Sequence, residues 1–161
     1  VGDAAKIANA EIKAVGAVAR HGDDVGIDYI VAEVAKEAPI HWSPMNGHGP
    51  LGEKVAATFR GGSYTELTTS EATTLYRVYG GNSPQIGPYW TRTPPAGPLQ
   101  STIDSALNPE WGNTANNAVR IQVPAGTRIF EGFAAPQGRL VGGGSQVYIP
   151  IKDVNPSWIA P

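Results

Sequence analysis

All fourteen prolines of this chain fall at or after Pro39, so the first 38 of its 161 residues contain none. Proline fixes φ and cannot donate a backbone hydrogen bond, which bars it from helix interiors and central strands. Only the proline-free lead can therefore hold long uninterrupted helices. The remainder is expected to consist of short strands and turns. Glycine reinforces that division, with runs at Gly61-Gly62, Gly80-Gly81 and Gly142-Gly143-Gly144, which punctuate strand-rich segments.

Within the lead, Asp3 to Arg20 places Ile7, Ala8, Ile12, Val15 and Val18 at helical spacing, and His21-Gly22 supplies a stop. A second helical pattern runs from Asp24 to Ala38, with Ile27, Ile30, Val31, Val34 and Ala35 on one face. Together they predict a helical hairpin that carries no chemistry. The loop Ile40 to Gly52 holds His41 and His48 without a third ligand at metal-binding spacing, so no metal site is expected. It marks a boundary between a helical lead or linker, residues 1–50, and the main domain, residues 51–161.

Beyond it, Thr, Tyr and Val enrichment predicts strands at Ser63–Leu67 and Thr74–Tyr79. Clean alternation predicts Ala118–Val123 and Arg128–Phe133, joined as a hairpin by Pro124-Ala125-Gly126. Gln146–Ile149 is the last strand, and Asp104–Leu107 is one short helical stretch within Leu99–Asn108. The class is α+β, with a mostly antiparallel core.

Composition excludes several function classes. A net charge of −2 gives no basic footprint for nucleic acid. No apolar run reaches the roughly 20 residues of a membrane span. The absence of cysteine removes disulfide scaffolds, thiolate zinc sites and thiol catalysis. Residues Val1 to Ala19 lack the apolar stretch of a signal peptide, and Val1 is not an initiator. The chain is thus expected to be part of a longer protein.

Few side chains could do chemistry. Arg77 lies mid-strand among apolar and aromatic residues, on the face shared by Leu75 and Tyr79. Its charge needs a partner: an anion such as a diphosphate, or a structural carboxylate. Gly80-Gly81 follows directly, where the backbone either approaches a ligand or turns. Tyr89, Trp90 and Thr91 sit between Pro88 and Pro94-Pro95, and the two aromatics either clamp a flat ring or plug a core. Ser101 is a weaker polar candidate. Glu131 is the carboxylate of the predicted hairpin, and Gln146 is the amide two residues after the triple glycine. No Ser/His/Asp constellation or dinucleotide glycine fingerprint is present.

The ordered segments LYRVYGG, GPYWTRTPP, LQSTIDSALNPEWGNT, VRIQVPAGTRIFEGFAAPQ and GGGSQVYIP resemble the C-terminal toxin domains of bacterial polymorphic toxins. These are carried by contact-dependent inhibition and Rhs-type proteins. Within them the chain is similar to the ADP-ribosyltransferase-like superfamily, in the NAD glycohydrolase branch typified by the tuberculosis necrotizing toxin. The resemblance spans roughly residues 59–150. It implies Arg77 as the arginine that grips the NAD+ diphosphate or ribose, with Tyr79 and Gly80 beside it. Tyr89, Trp90, Thr91 and Ser101 would face the nicotinamide end. Gln146 would act on the ribose, its carbonyl accepting from a hydroxyl and its NH2 reaching a phosphate or the nicotinamide. Arg92 is the nearest match to a second family arginine.

Transferases of the common types place a catalytic glutamate two residues further on. Tyr148 holds that position here, and no glutamate occurs from Gly132 to Pro161. This departure fits hydrolysis of NAD+ to nicotinamide and ADP-ribose, with modification of a protein or RNA as the alternative. Glu131 could supply the missing negative charge by turning inward. The resemblance further implies NAD+ as substrate with no bound cofactor or metal, and a cognate immunity protein blocking the cleft. The protein would be a monomer or a toxin–immunity heterodimer, delivered by secretion or from a cell surface as part of a larger protein. It would act in the target-cell cytoplasm.

Overall fold

A computed structural model of the protein describes residues 38–161. The helical hairpin expected over residues 3–38 lies, but for its last residue, outside them. Residues 41–161 form one compact unit. It is α+β and mostly antiparallel, with two short helices, α1 (Gly52–Ala56) and α2 (Pro98–Asp104). The strands are β1 (Ile40–Trp42), β2 (Tyr64–Thr68), β3 (Thr73–Gly81), β4 (Tyr89–Trp90), β5 (Asn113–Val123), β6 (Arg128–Phe133) and β7 (Ser145–Tyr148). Prolines open several helical turns instead of breaking them: Pro44, Pro98, Pro109 and Pro156 stand in the first turn of theirs, where the missing N–H costs nothing.

One sheet runs β1-β2-β6-β7-β4, and β3 with β5 forms a separate long ribbon. Tyr76 and Thr91 exchange backbone hydrogen bonds of 2.8 Å in both directions, which joins the ribbon to β4. The core lies between ribbon and sheet, built by Leu75, Val119, Ile121 and Val123 from one and Trp90, Ile129, Val147 and Ile149 from the other. On the opposite face of the sheet, Phe59, Tyr64 and Phe130 pack as an aromatic row. Trp42 is buried there and donates from Nε1 to Glu66 at 3.1 Å.

Two expectations are corrected. Strands β5 and β6 are not a hairpin, because β5 pairs with β3 and β6 lies between β2 and β7. Residues 124–127 are instead a corner between the sheets, and residues 69–72 form the matching corner. Thr69 ties the two together: its hydroxyl donates to Pro124 O at 2.8 Å and accepts from Thr127 N at 2.9 Å. Thr69→Val is expected to cost about 1 kcal/mol in urea unfolding, because Thr127 N loses its acceptor while Pro124 O keeps the Thr127 hydroxyl. The helix expected at residues 104–107 lies earlier. Pro98 starts α2, and Ala106 already has φ 48°. That left-handed geometry ends a helix.

Candidate functional site

The ribbon, the segment after β3, α2 and the start of β7 enclose a cleft of about 390 Å³. That volume lies within the range of small-molecule sites, about 300–1,000 Å³. Arg77, Tyr89, Trp90, Thr91, Ser101 and Gln146 all line it, drawn from four elements far apart in the chain.

Arg77 has no carboxylate partner among the described residues. Its Nε donates to Pro84 O at 3.2 Å, Nη1 to Tyr89 O at 3.0 Å and Nη2 to Ser83 Oγ at 3.0 Å. These oxygens are neutral, so the guanidinium keeps its full charge while fastening residues 82–89 over β3. Burial lowers its pKa from the ordinary arginine value, yet guanidinium stays protonated throughout the physiological range. Three of its five N–H groups are committed, leaving two for a ligand. Gly87 makes the close fit possible: a Cβ there would stand 2.4 Å from Arg77 Nη2.

Gln146 is buried at 9% exposure, and its amide has one permitted orientation. Nε2 reaches Thr58 O at 3.2 Å and Thr58 Oγ1 at 2.9 Å. The backbone carbonyl can only accept. The Thr58 hydroxyl spends its proton on Val55 O at 2.6 Å, so it must accept as well. The NH2 therefore points at Thr58, away from any role on phosphate or nicotinamide. Oε1 has no hydrogen bond from the described residues, and no polar atom that is both fully buried and unpartnered occurs among them. Oε1 is thus a solvent-reachable acceptor on the cleft wall.

The glycine loop has a structural reason of its own. It passes flush across the C-terminal end of α2, where Gly142 N donates to Ile103 O at 3.0 Å and Gly144 N to Asp104 O at 2.9 Å. Helix ends leave such carbonyls without intrahelical partners. A Cβ on Gly144 would lie 2.9 Å from Asp104 O, so only glycine allows the approach. The loop locks α2 to β7 and sets Gln146 two residues beyond the contact.

The remaining candidates separate. Tyr89 is half-buried and stacks edge-on against Tyr148 at 5.2 Å. Burial pushes its phenol pKa up. Trp90 points to the other face by strand alternation. It is 3% exposed within the core and donates Nε1 to Gly87 O at 2.8 Å, so it forms the cleft floor and offers no open ring for stacking. Thr91 fixes the ribbon to β4, and Ser101 lies on α2.

Tyr79 and Gly80 are not on the cleft wall. Tyr79 packs against the core, and Gly80 forms a tight turn with Ser83 while lying against Thr114 of β5. Glu131 and Arg92 are also outside the lining, and they satisfy each other at 2.6 Å. Glu131 pairs across the strands with Val147, not with Gln146, so alternation turns its carboxylate to the opposite face.

Thr58, Ser83, Asp104 and Trp111 are among the cleft residues that sequence reasoning missed. Thr58 and Ser83 act through Gln146 and Arg77, and their spacing in the chain carries no motif. Trp111 is 50% exposed and ends the single helical turn Pro109–Trp111, which Pro109 opens.

No family model matches the chain, and no curated protein matches it significantly. Among solved structures, Tne2 in complex with Tni2 is similar with a TM-score of 0.52 and 12% identity, over 61% of this chain and 87% of that one. Tse6 in complex with Tsi6 gives a TM-score of 0.48 and 15% identity, over 70% and 83%. The first likeness establishes a shared fold.

Proposed function

We propose that this protein is a bacterial toxin domain that hydrolyses NAD+ to nicotinamide and ADP-ribose. The observation that carries the reading is Gln146: its NH2 is spent on Thr58, so its carbonyl stands as a fixed acceptor in the cleft that Arg77 also lines. Nicotinamide is already a cationic leaving group in NAD+ and needs no general acid. Breakage of its bond to the ribose passes through an oxocarbenium-like transition state. A preorganised carbonyl can hold a ribose hydroxyl and set the anomeric carbon toward water. The two uncommitted N–H groups of Arg77 match a diphosphate oxygen pair.

The Tne2 structure contains a second protein, Tni2. We extend that arrangement to this chain as an immunity partner that occupies the cleft. The protein would then be a monomer or such a heterodimer, delivered as part of a larger secreted or surface protein and active in the target-cell cytoplasm.

The test is NAD+ consumption by the purified protein, with nicotinamide, free ADP-ribose and macromolecule-bound label separated. Equimolar nicotinamide and free ADP-ribose are expected. Label on protein or RNA would replace hydrolysis with transfer, and absence of turnover by folded protein would overturn both. Glu131→Gln is expected to leave cleavage near the wild-type rate. Its stability should fall by at most about 1 kcal/mol in chemical denaturation, as for other exposed ion pairs.

A further inference from the structure

Hydrolysis of NAD+ builds positive charge on the ribose, and Gln146 is neutral. Among the described residues Asp104 is the single acid lining the cleft, and Arg77 the single cation. Asp104 is the last residue of α2, where the helix dipole disfavours a negative side chain. Gln100, one turn earlier, donates Nε2 to Asp104 Oδ1 at 2.8 Å and orients the carboxylate. No described hydrogen bond or ion pair engages Oδ2. The backbone of Asp104 is clamped by Gly144 N at 2.9 Å. One peptide link thus separates the glycine that docks on Asp104 from Ser145, and Gln146 follows. The cleft is charge-polarised, with an anion-binding guanidinium contributed by β3 and a carboxylate contributed by α2 on the glycine-loop side.

We propose that Asp104 is the carboxylate that recognises the cationic nicotinamide riboside half of the substrate and stabilises the developing oxocarbenium ion. This rests on the NAD+ reading above and adds the charged group that reading lacks. In the step, the bond between the anomeric carbon and the ring nitrogen breaks with its electron pair leaving on nicotinamide. Water oxygen forms the new bond to that carbon and releases one proton to solvent. Asp104 takes no part in proton transfer, and Gln100 is its positioning residue.

The test measures binding and turnover separately. Calorimetry compares carba-NAD+, which keeps the cationic ring but resists this cleavage, with NADH, whose ring is neutral. Wild-type protein is expected to prefer the cationic ligand by about tenfold, the size of one favourable charge contact across a partly hydrated cleft. Asp104→Asn is expected to erase that preference and to slow NAD+ cleavage by on the order of 100-fold, with unchanged melting. A variant that keeps the preference, or that cleaves NAD+ as fast as the wild type, overturns the assignment. Preference for carba-NAD+ that is lost in Asp104→Asn, in a wild type that does not cleave NAD+, would sink the hydrolase reading and leave the charge recognition standing. If Asp104→Asn melts early, Gln100→Leu serves instead: it keeps the carboxylate and frees it. It should weaken the preference several-fold, and an unchanged preference would overturn the positioning role.

Discussion

Gln146→Ala is expected to slow NAD+ cleavage by on the order of 100- to 1,000-fold, the usual loss when one preorganised polar contact to the transition state is removed. Folding should survive, because Thr58 O keeps the Ala135 N–H and the Thr58 hydroxyl keeps Val55 O. The informative companion is Gln146→Glu, which is nearly isosteric and exchanges the amide for a carboxylate. A carboxylate cannot donate to Thr58 O or Thr58 Oγ1 and would face two acceptors there. The substitution sets oxygen against oxygen at a buried position and should cost about 1–3 kcal/mol in urea unfolding, without gaining transferase activity. A stable Gln146→Glu protein that transfers label to macromolecules would show that Thr58 does not dictate the amide orientation.

Arg77→Lys should produce the second large effect. One ammonium on a flexible stem cannot span Pro84 O, Tyr89 O and Ser83 Oγ as the planar fork does. Loss of these charge-assisted bonds is expected to cost roughly 3 kcal/mol or more. It should also loosen residues 82–89 and reduce NAD+ cleavage at least as strongly as Gln146→Ala. Gly87→Ala reaches the same end while leaving the arginine in place, since the new methyl would meet Arg77 Nη2 at 2.4 Å. If hydrogen exchange finds residues 82–89 equally protected in both variants, Arg77 is not what holds that segment.

Much of the fold was legible because its signals are local. Alternation at Arg128–Phe133 and the Thr/Tyr/Val run at Thr74–Tyr79 located β6 and β3, since a strand's two faces appear directly in its residue order. The two-residue strand β4 and the five-residue helix α1 were not found, because such lengths hold less than one period of any pattern. The error at Pro124-Ala125-Gly126 has a different origin. A turn sequence specifies a reversal of the chain, but it does not say whether the next strand pairs with its neighbour or crosses to another sheet. Buried Thr69, 55 residues away, settles that choice.

The site divides the same way. By itself the sequence determined which residues are chemically unusual for their surroundings: an arginine amid apolar strand residues, and one amide after three glycines. It also excluded thiol and metal-thiolate chemistry by composition. Only the tertiary structure decided which groups of those side chains are free. Gln146 lost its NH2 to Thr58, 88 residues away, and Glu131 was neutralised by Arg92, 39 residues away. Asp104 entered the cleft because glycine backbone packs on its helix end. Hydrogen-bond valence is finite and is filled by whatever the fold brings near, so which groups remain for a ligand is a property of three-dimensional neighbours, and residue order does not encode it.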